Sequence, residues 1–287
     1  MQKSQQERMD CNPLYITSLN SGSNGNCYYV GNAEEAILVD AGISCKETEI
    51  RMRRLGLSIS KVKAIFISHE HGDHIRGLKV LAKKYRIPVY VTKGTFSNCR
   101  VSLPDELVHT FSSHEKIQIG SLKVSCFPKI HDAAEPHSFM ISCGEINVGV
   151  FTDLGVVCEQ LSLHFKQCHA AFLEANYDEE LLQNGSYPYF LKQRICGGQG
   201  HLSNRQALEL FTNYRPAKLS HLLLSHLSKD NNDPELVEHL FNQHAEETVI
   251  VVATRFMETP VFTIDGAYGS SAVTSQTGQL NLQLQHL

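Results

Sequence analysis

KAIFISHEHGDH, residues 63–74, is the stretch from which the fold can be read. Ala64, Ile65, Phe66 and Ile67 form an apolar run with the length and make-up of a buried strand. Four side chains able to ligate a metal follow at once: His69, His71, Asp73 and His74. In extended chain, residues i and i+2 point to the same side, so His69 and His71 aim two imidazoles at one point. Gly72 is expected in a loop with unusual backbone angles. Asp73 and His74 lie just past it, where a turn directs them to a second point nearby. With 15 histidines in 287 residues, His-x-His-x-Asp-His arises by chance in on the order of one such chain in several hundred. The competing reading is a surface loop of solvated histidines.

The flanks fit an alternation of strands and helices. Residues 15–19 form a short strand, and the Gly/Ser/Asn-rich turn 20–26 feeds a second at 27–30. That turn could cradle a phosphate on its backbone N–H groups, but its spacing favours a plain hairpin connection. Strand 36–39 ends at Asp40. A helix over 47–55 precedes the opening strand, and one over 75–85 follows it, with Leu78, Leu81, Ala82 and Tyr85 at helical spacing. Strand 88–92 completes an α/β run. From 107 to 152 come successive strands, 107–111, 116–119, 122–130, 138–142 and 146–152, with hairpin turns at Gly120-Ser121 and Gly144-Glu145.

The α/β pattern then resumes. Strand 170–173 ends at Glu174 and a short helix spans 178–183. Residues 184–202 read as a loop-rich stretch. Ser203 caps a helix to 213, strand 221–225 ends at His226, and Asp233-Pro234-Glu235 opens another helix. Strands 248–253 and 260–264 close the pattern. The expected organisation is one domain over 13–266, with loose ends at 1–12 and 267–287.

Composition sets wide bounds. A hydrophobic fraction of 42% and a charged fraction of 20% are ordinary for a soluble globular chain. No apolar run is long enough to span a membrane, and the polar N-terminus is not a secretory signal. Nine cysteines (11, 27, 45, 99, 126, 143, 158, 168 and 196) are scattered without a C-x-x-C pair, which suits a reduced, cytoplasmic chain. The net charge of −4 excludes a wholly basic nucleic-acid-binding body but leaves room for a local basic patch.

Further chemistry-bearing residues stand just after apolar runs: His131, Asp153 and His226. They suggest two metal positions, His69, His71 and His131 around one and Asp73, His74 and His226 around the other, with Asp153 bridging. His137 is a rival for His131, and His221 for His226. Imidazole and carboxylate without thiolate suit zinc, with manganese the alternative. Two such ions about 3.5–4 Å apart supply a bridging hydroxide as nucleophile. Asp40, with no helix to cap, is expected to orient a ligating imidazole.

The H-x-H-x-D-H run and the order of these residues over about 14–265 resemble the metallo-β-lactamase superfamily. The resemblance implies an αββα sandwich carrying a two-metal hydrolytic site. Glu174 in FLEANYD, His201 in GHLSN and His226 in LLLSHLSKDN are similar to features of its nuclease branch. There a Glu and an extra His form a dyad that assists phosphodiester cleavage. Carried over, Glu174 holds His201, which protonates or stabilises the leaving oxygen, so Asp73, Glu174 and His201 are the candidate catalytic residues. SLNSGSNGNCYYV, HDAAEP, EANYD, GHLSN and LSHLSKDN resemble the YycJ/WalJ-like group, which implies a DNA exonuclease of 5′-to-3′ polarity. There is no long basic arm of the tRNase Z kind, and the interval from Asp153 to His201 is too short for a β-CASP insertion, so DNA is favoured over RNA.

Lys192, Arg194 and Asn204 flank His201 in sequence and are candidate phosphate contacts; for the two cations the alternative is a solvated basic loop. Tyr187, Tyr189 and Phe190 are expected to pack beneath that loop rather than stack on bases. Two other functions use the same donors: a small-molecule hydrolase acting on a thioester or lactam, and a non-catalytic binding protein.

Overall fold

Residues 13–266 are described here from a computed structural model; the proposed loose ends, and Cys11 with them, lie outside the described residues. Strands β1 (Leu14–Asn20), β2 (Cys27–Gly31) and β3 (Ala36–Val39) lead to helix α1 (Cys45–Arg54), then to β4 (Val62–Phe66), which holds most of the opening apolar run. Short helix α2 (Gly72–Ile75), α3 (Leu78–Tyr85), β5 (Val89–Thr92), α4 (Lys93–Asn98) and β6 (Val108–Phe111) follow. The second half carries β7 (Lys116–Ile119), β8 (Leu122–Pro128), β9 (His137–Cys143), β10 (Ile146–Phe151), α5 (Glu159–Phe165) and β11 (Ala170–Glu174). It continues with α6 (Glu179–Asn184), α7 (Tyr189–Cys196), α8 (Asn204–Tyr214), β12 (His221–Ser225), α9 (Pro234–Asn242) and β13 (Val249–Val252). The last strand, β14 (Phe262–Ile264), returns to the first sheet.

The strands form two seven-stranded mixed sheets, ordered β14-β1-β2-β3-β4-β5-β6 and β13-β12-β11-β10-β9-β8-β7. Their facing surfaces share one core that includes Tyr28, Phe66, Phe139 and Phe172. Helices cover the outer faces. Met52, Leu78 and Leu81 pack on Leu38 and Ile65, and Leu161, Phe211 and Phe241 pack on Leu173 and Leu222. This is the expected αββα sandwich. It explains why β4 is apolar without alternation: Ala64 and Phe66 face the opposite sheet while Ile65 faces the helices.

Pairing direction places the chemistry. β3, β4, β5 and β6 run parallel, as do β10, β11, β12 and β13. Parallel neighbours end at the same edge, so Asp40 comes out beside the Ser68–His69 turn, and Asp153, Glu174 and His226 come out together.

Three local expectations need correction. The helix expected over 75–85 is broken at Gly77, which stands between α2 and α3. A Cβ there would lie 1.8 Å from the Ile43 carbonyl oxygen, and the Gly77 N–H donates to Ala41 at 2.8 Å. The chain steps aside at that close contact. Gly72 is the first residue of α2 and is not among the positive-φ residues; it is helical, and it leaves room at the mouth of the site. The stretch 184–202 holds α7, which has no fully buried residue and only one apolar pair at helical spacing, the half-buried Leu191 and Ile195, to betray it.

Candidate metal centre

Three site residues leave their strands in the left-handed region: Asp40 at φ 63°, Asp153 at 56° and His226 at 57°. Non-glycine residues rarely adopt it, and each such residue costs of order 1 kcal/mol or more. Here it turns each chain sharply off its strand and points the side chain across the shared edge of the sheets.

Asp40 organises the first group. It is fully buried and accepts from the Ser68 backbone N–H (2.8 Å), the Ser68 hydroxyl (2.8 Å) and His74 Nδ1 (2.7 Å). Because the Ser68 hydroxyl proton goes to Asp40, its oxygen accepts from His69 Nδ1 at 2.9 Å. One carboxylate thus ties down Nδ1 of two imidazoles and turns both Nε2 atoms toward the centre, the arrangement that ligating histidines need. His131 Nδ1 donates to the Gly200 carbonyl at 2.9 Å, and His226 Nδ1 lies 3.2 Å from Glu174 Oε1. Their Nε2 atoms are likewise left over.

These atoms converge. His69, His71 and His131 bring ring nitrogens to one point, His74 and His226 bring ring nitrogens and Asp73 a carboxylate oxygen to another, and Asp153 shares groups with His69 and His74 on one side and with His226 on the other. His69 Nε2 lies 3.1 Å from His71 Nδ1, His226 Nε2 lies 3.4 Å from Asp153 Oδ1, and His226 Nε2 and His74 Nε2 each lie 3.5 Å from Asp73 Oδ2. A tetrahedral centre with nitrogen and oxygen ligands at about 2.0–2.2 Å sets its donors roughly 3.3–3.6 Å apart, so the 3.4 and 3.5 Å spacings around Asp73, Asp153 and His226 fit a metal ion of that kind. His131 Nε2 and Asp153 Oδ2 are buried without a hydrogen-bond partner; Asp153 Oδ2 lies 3.3 Å from His74 Nε2 without hydrogen-bond geometry. Buried polar atoms are seldom left so unless something else binds them.

The electrostatics agree. Burial alone would depress His74, but Asp153, Asp40 and Asp73 outweigh it and hold the imidazole well above its usual range. Burial likewise pulls His226 down, and Asp153, Asp73 and Glu174 push it up to about 10. Burial depresses His131 to about 4, partly offset by Asp153, and it depresses His69 further with help from His74. Asp153 is held well below the carboxylate range, because His226 and His74 overcome its burial. The carboxylates here hold protons on imidazoles, and divalent cations binding at those points would displace them.

Glu174 and His201 sit beside this group. Glu174 Oε1 accepts from His201 Nδ1 at 2.7 Å, and Oε2 accepts from the Leu154 (2.7 Å) and Leu202 (3.1 Å) backbone N–H groups. Burial would raise the fully buried Glu174, but His201 lowers it to about 2. His201, with its side chain 21% exposed, stands at the solvent edge of the cluster.

Sequence reasoning missed four supporting residues. Asn26 Nδ2 donates to Asp73 Oδ2 at 3.2 Å and lies 3.1 Å from His74 Nε2. The turn 20–26 is thus a hairpin connection whose last residue supports the site. Gly42 allows this, since a Cβ on it would meet the Asp73 carbonyl oxygen at 1.6 Å. Ser68 forms the relay from His69 to Asp40. The Ser21 hydroxyl accepts from the His226 backbone N–H at 2.7 Å. Lys129 is buried and donates to the Thr152 carbonyl at 2.7 Å. Burial lowers its pKa against the pull of Asp153, Asp40 and Glu174.

The candidate phosphate contacts do not gather at the centre. Asn204 is buried, and its amide pairs reciprocally with that of Asn232 at 2.9 Å in both directions; held beneath the surface in that pair, it is not presented to a phosphate, which corrects that expectation. Lys192 Nζ donates to the Gln183 carbonyl at 2.7 Å at the surface. Arg194 Nε donates to Asp132 Oδ2 at 2.7 Å, next to His131, while most of its side chain stays exposed. Tyr189 and Phe190 are 76% and 73% exposed, so the packing expected of them is overturned. Tyr187 donates its hydroxyl to Asp230 at 2.9 Å. The rival histidines are occupied elsewhere, His137 with the Ser113 hydroxyl and His221 with that of Ser220.

Two packed sheets whose strand ends converge His and Asp side chains on adjacent points define the class: an αββα metal-dependent hydrolase. Residues 35–226 match the family model for the beta-lactamase superfamily domain. Over 246 residues the chain is 36% identical to exodeoxyribonuclease YycJ of Bacillus anthracis, covering 85% of this chain and 93% of that one. Over 234 residues it is 32% identical to exodeoxyribonuclease WalJ of Streptococcus pneumoniae, covering 79% and 87%. The crystal structure of the metallo-β-lactamase fold protein YhfI from Bacillus subtilis superposes with a TM-score of 0.69 over 88% of this chain and 99% of that one, at 15% identity. The chain belongs to the metallo-β-lactamase superfamily, in the group of the YycJ and WalJ proteins.

Proposed function

We propose that this protein is a metal-dependent phosphodiesterase, a DNA exonuclease of 5′-to-3′ polarity, whose single domain spans residues 13–266. The observation that carries the reading is the Glu174–His201 pair, 2.7 Å apart at the exposed edge of the converging donors. A thioester releases a thiolate that departs without a proton, whereas a phosphodiester has a leaving alkoxide that requires a proton or positive charge. The names of its YycJ and WalJ relatives point the same way.

His69, His71 and His131 would hold one divalent ion and Asp73, His74 and His226 the other, with Asp153 between them; zinc suits this donor set and manganese is the alternative. Bound there, the pair would supply a bridging hydroxide as nucleophile and Lewis acidity toward a phosphoryl oxygen. Asp40 and Ser68 keep His69 and His74 in the tautomer that presents Nε2. Asn26 steadies Asp73. Glu174 accepts from His201 Nδ1–H, and a second proton carried on Nε2 is the one given to the leaving oxygen. Arg194, anchored through Nε on Asp132, keeps its remaining guanidinium nitrogens for a phosphate; Lys192, two residues earlier on α7, lies on a different face of that helix. The cysteines among the described residues are all free and mostly buried, which supports a reduced, cytoplasmic setting. No helix among the described residues is long and apolar enough to cross a membrane.

The test is cleavage of end-labelled linear duplex DNA, RNA and a closed circle with zinc or manganese supplied. Linear DNA shortened from its 5′ ends, with the circle spared, is the expected result. Intact nucleic acid beside rapid turnover of a thioester would overturn the reading.

A further inference from the structure

Four large apolar side chains stand in water on two segments tied to the loop that follows His226: Tyr189 (76% exposed), Phe190 (73%), Phe256 (77%) and Met257 (64%). Each pair begins within two residues, along the chain, of a side chain bonded to that loop. On one side, Tyr187, just before α7, donates to Asp230 of that loop. The far end of α7 abuts the catalytic residues: the His201 N–H donates to the Ile195 carbonyl at 2.8 Å, and Arg194 is joined to Asp132. On the other side, Arg255 Nη2 donates to the Leu227 carbonyl at 2.7 Å and packs against Gly22 of the turn that holds Asp73 and His226. Cations are interleaved with these groups, namely Lys192, Arg194, Lys229 and Arg255, although the whole chain is net negative.

Exposed aromatics gathered on one rim are a binding feature rather than a scatter of surface residues. Aromatic faces alternating with cations match one chemistry closely: unpaired nucleobases strung on a phosphate backbone. Bases inside a duplex are already stacked and have no free face to offer. We propose that Tyr189/Phe190 and Phe256 are two base-stacking platforms that hold unpaired nucleotides on either side of the scissile phosphate, so that the substrate is a single-stranded or frayed strand end. This rests on the nuclease reading above and extends it.

The chain contains no tryptophan, so Phe256→Trp and Phe190→Trp each install one fluorescent reporter that keeps the aromatic face. Steady-state cleavage of a single-stranded oligodeoxynucleotide is compared among wild type, Tyr189→Ala/Phe190→Ala, Phe256→Ala, the two tryptophan variants and Val80→Ala, an exposed apolar control on α3. Tryptophan emission is read during titration with a phosphorothioate oligodeoxynucleotide. The expected result is a KM raised about tenfold or more by each alanine variant, rescued within about twofold by tryptophan, with emission quenched by the oligonucleotide and Val80→Ala like wild type. Wild-type KM in both alanine variants, or unquenched emission at saturating oligonucleotide, overturns the stacking proposal while wild-type cleavage keeps the nuclease reading. Alanine variants that turn a sedimenting dimer into a monomer would assign this rim to a second copy of the chain instead. Wild-type protein that cuts no nucleic acid would sink both proposals together.

Discussion

Asp40→Asn is the most informative single perturbation of the site. Asp40 touches no donor point itself, yet its carboxylate accepts from the Ser68 N–H, the Ser68 hydroxyl and His74 Nδ1, all within 2.7–2.8 Å. Asparagine keeps the size and tolerates the left-handed backbone at φ 63° nearly as well as aspartate, so the change isolates charge and acceptor capacity from strain. One oxygen becomes an NH2 group that cannot accept from His74 or from Ser68, and the relay from His69 through Ser68 loses its anchor as well. Losing a buried hydrogen bond to a charged group costs about 1.5–3 kcal/mol. Losing the partner that orients a ligating histidine weakens metal binding by about 10–100-fold, which is roughly 1.4–2.7 kcal/mol. The assay is competitive metal titration of stripped protein against a chromophoric chelator, with the melting temperature of the stripped protein read in parallel. Weaker binding of both ions is expected, since Asp40 reaches His69 of one group and His74 of the other. Metal affinity within twofold of wild type would refute the claim that Asp40 sets the tautomers.

Other expectations follow from the same geometry. His201→Ala should keep its metal content and lose about 10²–10⁴-fold in DNA cleavage rate; loss of metal in that variant would make His201 a ligand instead. Asn204→Ala should lower stability by about 1–3 kcal/mol by removing the two buried hydrogen bonds between Asn204 and Asn232, seen as a fall in Tm, with KM for DNA unchanged; a selective rise in KM would restore its phosphate role. His169 lies outside the site and accepts from the Asn147 N–H at 3.0 Å, and burial depresses it to about 4. A depressed histidine contributes stability that is full above its unfolded pKa of about 6.5 and is lost as pH falls towards the folded value. His169→Gln should therefore lose less stability than wild type between pH 6.5 and 4 in denaturant unfolding, and parallel pH profiles would contradict this.

How much of this was legible in the chain depends on the range of each interaction. His69, His71, Asp73 and His74 are adjacent in sequence, and β4 is apolar on both faces, so the run announces both a buried strand and the donors at its end. His131, Asp153 and His226 could be singled out because each follows a strand. Asn26 could not, since its reach to Asp73 crosses 47 positions and the turn around it resembles any polar hairpin. Lys129 lies between Pro128 and Ile130, where nothing local marks a buried cation. The left-handed backbone at Asp40, Asp153 and His226 is imposed by tertiary contacts and carries no glycine to advertise it. Helix α7 has no buried face, so its periodicity is faint, and the fold provides no packing for its exposed aromatics Tyr189 and Phe190. Asn204 looked like a ligand-binding polar residue at a helix start because its partner, Asn232, is 28 positions away.

The central claim is that seven side chains hold two ions that make this protein a nuclease. Stepwise metal add-back to stripped protein tests it most directly, with ions per chain and cleavage of linear DNA read on the same samples. Cleavage should be absent without metal and reach its maximum only as the content approaches two ions per chain. Full cleavage by the stripped protein, or a protein loaded with two ions that leaves DNA intact, would contradict the account.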